Sequence, residues 1–309
     1  MPKYDRTRSD FLQDAMKAVP FEYERAASVA EVCALLTQHG PDAKLIAGGQ
    51  SLVPMMAMRL ARPSHLVDLN DVAEMRQIAA DGDYVRIGAV VRQVRLEREP
   101  VIRERLPLLA QALRWVGHVQ TRNRGTPGGS LVHADPSAEI PLVAVTLQAQ
   151  LKLTSQNDEM WMDAQDFFLA PMVTAIAQDQ CLTEIRFPVW PDTRVGSSFQ
   201  EVSIRHGDFA LTSACAQVVI DEDGRCTHAA IGIGGAGPVP LALPDVAAQL
   251  VGETLDERVV TAVADAAAAG LEPEADIHAS AEYRRHLAEV LVAAALRDAR
   301  AAAGRGHIS

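Results

Sequence analysis

Lys44-Leu45-Ile46-Ala47-Gly48-Gly49-Gln50-Ser51-Leu52 and Arg122-Asn123-Arg124-Gly125-Thr126-Pro127-Gly128-Gly129-Ser130-Leu131 are the two stretches that decide how this chain is read. Each presents a Gly-Gly pair followed within two residues by serine. Glycine reaches positive φ at little steric cost, and without a Cβ it lets a bulky anion approach the backbone. Successive N–H groups in such a turn make an anion-binding nest. Ser51 adds a hydroxyl to the first stretch. Thr126 and Ser130 add two to the second, where Pro127 stiffens the approach. Taken alone, each pair also fits a plain turn, and the two arginines also fit a solvated loop. Two nests of one composition in an acidic chain point to two phosphates, as in a dinucleotide.

The surrounding elements give these turns a context. Ser28 with Glu31 three residues on forms a capping box, and Val29, Val32, Cys33, Leu35 and Leu36 make an apolar helical stripe closed by Gly40. A strand over 44–47 runs into the first Gly-Gly pair, and Leu66-Val67-Asp68-Leu69 reads as another. The first ~70 residues therefore read as a small α/β unit. Val85–Ala89 reads as a strand, Val101–Gly117 as a helix, and 117–141 as a long functional loop, with β-like runs at 142–153 and 181–187. Ala214–Asp221 and Cys226–Ile233 read as strands joined by the turn Asp221-Glu222-Asp223-Gly224, with Pro238 and Pro240 ending that sheet. Alanine-rich helices are expected near 255–270 and 281–303, and residues 1–15 read as a polar, loosely held arm.

Composition narrows the function class. The 309 residues carry a formal net charge of -11, which argues against general nucleic-acid binding. The four cysteines, Cys33, Cys181, Cys215 and Cys226, lack metal-ligand spacing, so neither an iron–sulfur cluster nor a zinc site is expected. The nine histidines form no local ligand set. The longest apolar run, Ile140–Leu151, is too short to span a bilayer, and the N-terminus lacks the apolar core of a signal peptide. Gly232-Ile233-Gly234-Gly235-Ala236-Gly237 matches G-x-G-x-x-G, but Pro238-Val239-Pro240 follows where a dinucleotide fold needs a helix. It reads as the end of a strand and a tight turn. Asp135 and Glu139 are an unconvincing acid/base pair because Pro136 disfavours helix through Asp135. One carboxylate bonding a ribose hydroxyl is the more economical use.

Ala47-Gly48-Gly49-Gln50-Ser51-Leu52 and Thr126-Pro127-Gly128-Gly129-Ser130-Leu131, followed by Asp135-Pro136 and Glu139-Ile140-Pro141, resemble the FAD-binding medium subunit of molybdenum hydroxylases. This is the carbon monoxide dehydrogenase / xanthine dehydrogenase family. Arg59-Leu60-Ala61-Arg62-Pro63, Arg205-His206-Gly207-Asp208-Phe209-Ala210 and Tyr283-Arg284-Arg285-His286-Leu287 extend the likeness from about Pro20 to about Arg297. It implies an α+β fold. A two-subdomain FAD-binding domain of PCMH type is expected over 16–192, divided into about 16–75 and 76–192. A C-terminal domain of a small antiparallel sheet plus helices is expected over 193–309, and residues 1–15 are expected to be a flexible extension.

The resemblance also implies the site. Lys44, Leu45, Ile46, Ala47, Gly48, Gly49, Gln50, Ser51 and Leu52 would wrap the pyrophosphate and ribityl region of FAD. Thr126, Gly128, Gly129 and Ser130 would form the second cradle, with Gly117 nearby. Glu139 takes the family's carboxylate position, and Leu182 and Phe209 would approach the flavin ring. Phe209 stands where several members have tyrosine, and Gln200 near a position that is lysine in xanthine dehydrogenases. No catalytic residue and no metal are expected in this chain. It would carry electrons from a small [2Fe-2S] subunit to an external acceptor, while a large molybdopterin subunit oxidises substrate. A cytoplasmic dimer of heterotrimers is the implied assembly. A free-standing flavoprotein and a cofactor-free scaffold are the rival readings of the same residues.

Overall fold

The computed structural model describes residues 17–190 and 194–304. The polar arm at 1–15 and the expected domain boundary at 192/193 lie outside the described residues. In chain order the elements begin with β1 (Glu22–Arg25), α1 (Val29–His39), β2 (Ala43–Ile46), α2 (Leu52–Ala57) and β3 (His65–Asp68). The three strands form a parallel sheet in the order β1-β3-β2, and α1 and α2 make the crossovers. The capping box of α1 is present: Ser28 Oγ accepts from the Glu31 N–H at 3.2 Å. The returning Glu31 carboxylate takes the Ala27 N–H, one residue earlier than expected.

The next elements are β4 (Ile78–Asp81), β5 (Tyr84–Gly88), α3 (Gln93–Arg98), α4 (Pro100–Arg105), α5 (Pro107–Ala112), α6 (Val119–Arg124), α7 (Pro127–His133) and α8 (Glu139–Thr146). After them come β6 (Gln150–Thr154), β7 (Glu159–Asp163), α9 (Ala164–Phe167), β8 (Phe168–Ala170), β9 (Val173–Thr174) and β10 (Cys181–Pro188). An antiparallel sheet runs β4-β5-β10-β6-β7. Three expectations need correction here. The single helix over 101–117 is broken at Leu106-Pro107, where proline lacks the N–H that would continue the ladder. The segment 117–141 is not a loop but holds α6, α7 and the start of α8. Residues 142–146 are helical and wholly buried, and an apolar run of that length carries no helix-or-strand signal of its own.

The last part comprises β11 (Val195–Ser203), β12 (Ala210–Ile220), β13 (Cys226–Gly234), β14 (Leu241–Ala242), α10 (Pro244–Ala248), α11 (Glu257–Ala269) and α12 (Ala281–Gly304). Its antiparallel sheet runs β11-β12-β13-β14, so a short strand follows the prolines that were expected to end it. β12 is buried on both faces. Ala214, Ala216 and Val218 pack with α11 and α12, whereas Phe199 and Cys215 join the core of the first part. Gln111 of α5 crosses the junction, donating to the Ser197 carbonyl and accepting from the Phe199 N–H, both at 3.1 Å. All four cysteines are buried free thiols, and burial pushes the Cys215 thiol up to about 12.

The G-x-G-x-x-G look-alike is part of this junction. The Gly235 N–H donates to the Pro136 carbonyl at 3.0 Å, and the buried Arg284 donates to the Gly235 and Leu211 carbonyls. Arg284 also pairs with Asp276 at 2.8 Å. The Ala279 and His278 N–H groups, with Arg284, hold the Asp276 carboxyl down to about 2. A depressed acid stabilises above its unfolded value of 3.8, and that contribution is lost as pH falls toward 2. We expect Asp276→Asn to cost stability at neutral pH and little at pH 2, measured as urea midpoints at both. Arg284→Ala is expected to cost about 2–4 kcal/mol, since it strands two carbonyls.

Candidate functional site

The first glycine stretch is held from beneath. Leu69 N–H donates to the Ile46 carbonyl at 3.0 Å and Asn70 Nδ2 to the Ala47 carbonyl at 3.0 Å. Beyond these anchors the backbone turns at Gly48 and Gly49, the latter at φ 69°. Among the described residues, no hydrogen bond engages the backbone N–H groups of Gly48, Gly49, Gln50, Ser51 or Leu52. Five successive free donors at a turn into α2 suit an anion. Lys44 is exposed on β2, while Leu45 and Ala47 pack against the core.

The second stretch differs from expectation. The Gly128 N–H donates to the Ala89 carbonyl at 2.9 Å, the Gly129 N–H to Thr126 Oγ1 at 3.1 Å, and the Ser130 N–H to the Thr126 carbonyl at 3.1 Å. It is therefore a capped start of α7 rather than a nest of free donors. It still offers the Ser130 hydroxyl and the exposed, side-chain-free surface of Gly129. Thr126 is 2% exposed. Thr126→Ala is expected to cost about 1 kcal/mol as a lost cap, and Thr126→Ser almost nothing, in denaturant unfolding.

The two stretches touch. A Cβ on Gly48 would lie 2.4 Å from the Arg124 carbonyl oxygen and 2.9 Å from Gly125 Cα. At Gly128 a Cβ would lie 2.5 Å from Ala89 Cβ. Both glycines make room for the protein's own backbone, a reason for glycine that phosphate access alone does not supply. Arg92 ties the contact: Nη1 donates to the Arg124 carbonyl and Nη2 to Asn70 Oδ1. Burial, then the neighbouring Arg124 and Arg76, push its guanidinium down from its ordinary value. Asn70, Arg76 and Arg92 were not singled out in the sequence because they stand outside both glycine stretches. Arg122 turns away to pair with Glu97 at 3.0 Å and to donate to the Val116 and Gly117 carbonyls. Gly117 thus lies at the entry to α6, with φ 45°.

Glu139 is the first residue of α8 and is 8% exposed. Burial pushes its carboxyl up to about 7, with Asp135 adding to the rise. A second acid, Glu201 on β11, is pushed up to about 8 by burial and by Glu139. Both Glu201 carboxyl oxygens are buried without a hydrogen bond, as is the hydroxyl of Ser213, its partner across β12. Sequence reasoning missed Glu201, which gives no signal until the two parts pack. Leu182 on β10 is 3% exposed and belongs to the core, whereas Phe209 is 64% exposed. Gln200 faces α12, donating to Asp298 at 2.7 Å.

Residues 19–190 match the family described as the FAD binding domain in molybdopterin dehydrogenase. Residues 197–299 match the CO dehydrogenase flavoprotein C-terminal domain. The chain is 38% identical to the 6-hydroxypseudooxynicotine dehydrogenase complex subunit alpha of Paenarthrobacter nicotinovorans, over 90% of this chain and 93% of that one. It is similar to a chain of carbon monoxide dehydrogenase from Hydrogenophaga pseudoflava, with TM-score 0.90 and 36% identity over 93% of this chain and 99% of the other. A chain of quinoline 2-oxidoreductase from Pseudomonas putida 86 superposes with TM-score 0.89 and 35% identity, over the same shares.

Proposed function

The chain belongs to the family of FAD-binding subunits of molybdopterin dehydrogenases, and from that premise we propose how its residues serve the cofactor. It is an oxidoreductase subunit. Lys44 to Leu52 hold the pyrophosphate and ribityl region, with the N–H groups of Gly48 to Leu52 as donors. Thr126, Gly128, Gly129 and Ser130 close the seat from the other side, and Gly117 sets the entry to α6. Arg92, half-buried beside Asn70, holds the two sides together and offsets the acidic field of the chain. Glu139 stands at the carboxylate position, and Leu182 and Phe209 approach the ring region. When bound, FAD supplies the redox chemistry; the protein supplies binding, orientation and electrostatics.

The observation that carries this reading is the contact of Gly48 with Arg124 and Gly125, which joins the two stretches into one seat. We assign 16–192 to the FAD-binding domain, divided near 75, and 193–309 to the C-terminal domain, with 1–15 as an extension. A small [2Fe-2S] subunit donates electrons and an external acceptor receives them. A large molybdopterin subunit selects the substrate. The assembly is a cytoplasmic dimer of heterotrimers without nucleic acid. No helix among the described residues is long and apolar enough to cross a membrane. Expression alongside neighbouring iron–sulfur and molybdenum subunits tests the reading: a yellow complex that releases one FAD per chain on denaturation is expected. A colourless chain would sink the cofactor assignment, and a yellow chain that never co-purifies would sink the assembly.

A further inference from the structure

The start of α8 meets β11 and β12 face to face across the junction. On β11 the odd-numbered residues point to the first part of the chain: Ser197 meets Gln111 of α5 at 3.1 Å, and Phe199 joins the core. Glu201 follows in the same alternation. Its neighbour across the ladder is Ser213, whose own neighbour on β13 is Gly234. The helix α8 runs along this face. The Thr146 hydroxyl lies 3.3 Å from Cys215 Sγ, and a Cβ on Gly234 would lie 3.2 Å from the Leu142 side chain. Glu139 stands one turn before Leu142, and its carboxylate is the charge that acts on Glu201. Among the described residues no cation pairs with either acid. Arg122 acts on Glu139 from a distance but is paired with Glu97, and Asp135 adds a further negative charge. From α5 comes only the Gln111 amide, and Gln200 meets Asp298 of α12 on the opposite face of β11. Both Glu201 carboxyl oxygens and the Ser213 hydroxyl are buried without a hydrogen bond. Nothing in this setting stabilises a charge on Glu201.

We propose that Glu201 is a positioning residue for the flavin: by staying neutral it confines the buried charge of the junction to Glu139, the carboxylate of the flavin seat. This rests on the reading of Glu139 given above. Two carboxyl groups held together ionise one after the other. Glu139 ionises first, since burial raises it only to about 7, whereas burial and then Glu139 raise Glu201 to about 8. Glu139 is then free to accept a hydroxyl of the cofactor while Glu201 remains an acid. Above about pH 8 Glu201 ionises, and a second negative charge enters the junction beside an anionic cofactor with no cation to offset it. FAD is held more weakly in that state, and the bound flavin accepts electrons less readily. Linkage sets the size: with FAD making Glu201 about tenfold harder to ionise, affinity falls by up to about tenfold as Glu201 loses its proton.

The test uses the complex, deflavinated and titrated with FAD at about pH 7.5 and about pH 9.5, for wild type, Glu201→Gln and Glu139→Gln. The midpoint potential of the flavin-loaded complex is measured under both conditions. Wild type is expected to bind FAD about fivefold to tenfold more weakly at the higher pH. Glu201→Gln keeps the shape and cannot ionise, so its affinity should stay level. Its potential should match wild type at the lower pH and lie above it at the higher. Glu139→Gln should weaken FAD already at the lower pH. If wild type is level, if Glu201→Gln tracks wild type in affinity or in potential, or if it binds FAD poorly under both conditions, Glu201 is a structural acid only and the proposal falls. If instead Glu139→Gln binds FAD as wild type does under both conditions, the placement of Glu139 in the seat fails, and the role of Glu201 fails with it.

Discussion

Replacing Gly48 by valine is expected to abolish flavin retention on purification while the rest of the fold persists. A Cβ there would meet the Arg124 carbonyl oxygen at 2.4 Å and its carbon at 2.9 Å, both backbone atoms. Overpacking of this kind costs about 1–3 kcal/mol, so relief comes by separating the two stretches. Separation breaks the seat itself, and a loss of about 1.4 kcal/mol is already tenfold in affinity. We expect FAD to bind tenfold to a hundredfold more weakly, read by titrating FAD into deflavinated protein. Gly49→Ala is the milder comparison. Its strain is a left-handed φ of 69°, and its neighbours are the side-chain ends of Val53 and Ile46. Gly270→Ala, where a Cβ meets nothing within 4 Å, should leave FAD unchanged. Full FAD in Gly48→Val would show that the two stretches do not form the seat.

This contact also marks where sequence legibility ends. The strand into Gly48, the helix stripe behind Ser28 and the alanine-rich helices after Asp256 and Ser280 were legible because their signals are local periodicity and caps. The rejection of Gly232–Gly237 was legible because Pro238 forbids the helix that its use requires. The resemblance supplied the cofactor, and the family matches agree with it. Glycine-rich text from 117 to 141 looked like loop because propensity is a weak prior. Tertiary packing overrode it: Gly128 lies inside a helix, pressed on Ala89. Glu201 and Arg92 owe their chemistry to partners distant in the chain. No window along the sequence contains them.

The buried acids give the second large expectation. Glu139 and Glu201 are raised to about 7 and about 8 from 4.5, so the folded chain holds protons that the unfolded chain releases. Stability is therefore full below about pH 4.5, falls as pH rises through the window from 4.5 to 8, and is level above it. A tenfold change in proton affinity is worth about 1.4 kcal/mol, which makes the fall several kcal/mol. The Glu139 carboxylate contributes to the rise at Glu201, so the two shifts are not independent and the fall is less than their sum. Glu201→Gln keeps the shape, cannot ionise and can donate to the orphaned Ser213 hydroxyl across β11 and β12. At pH 8 this variant should be more stable than wild type by about 2–4 kcal/mol, and at pH 4.5 nearly equal to it. Urea midpoints of the flavin-loaded protein across pH 4.5–8.5 measure both effects. A flat wild-type profile, or a variant that tracks wild type at every pH, would mean that water or a counter-charge already stabilises the Glu201 carboxylate at the junction.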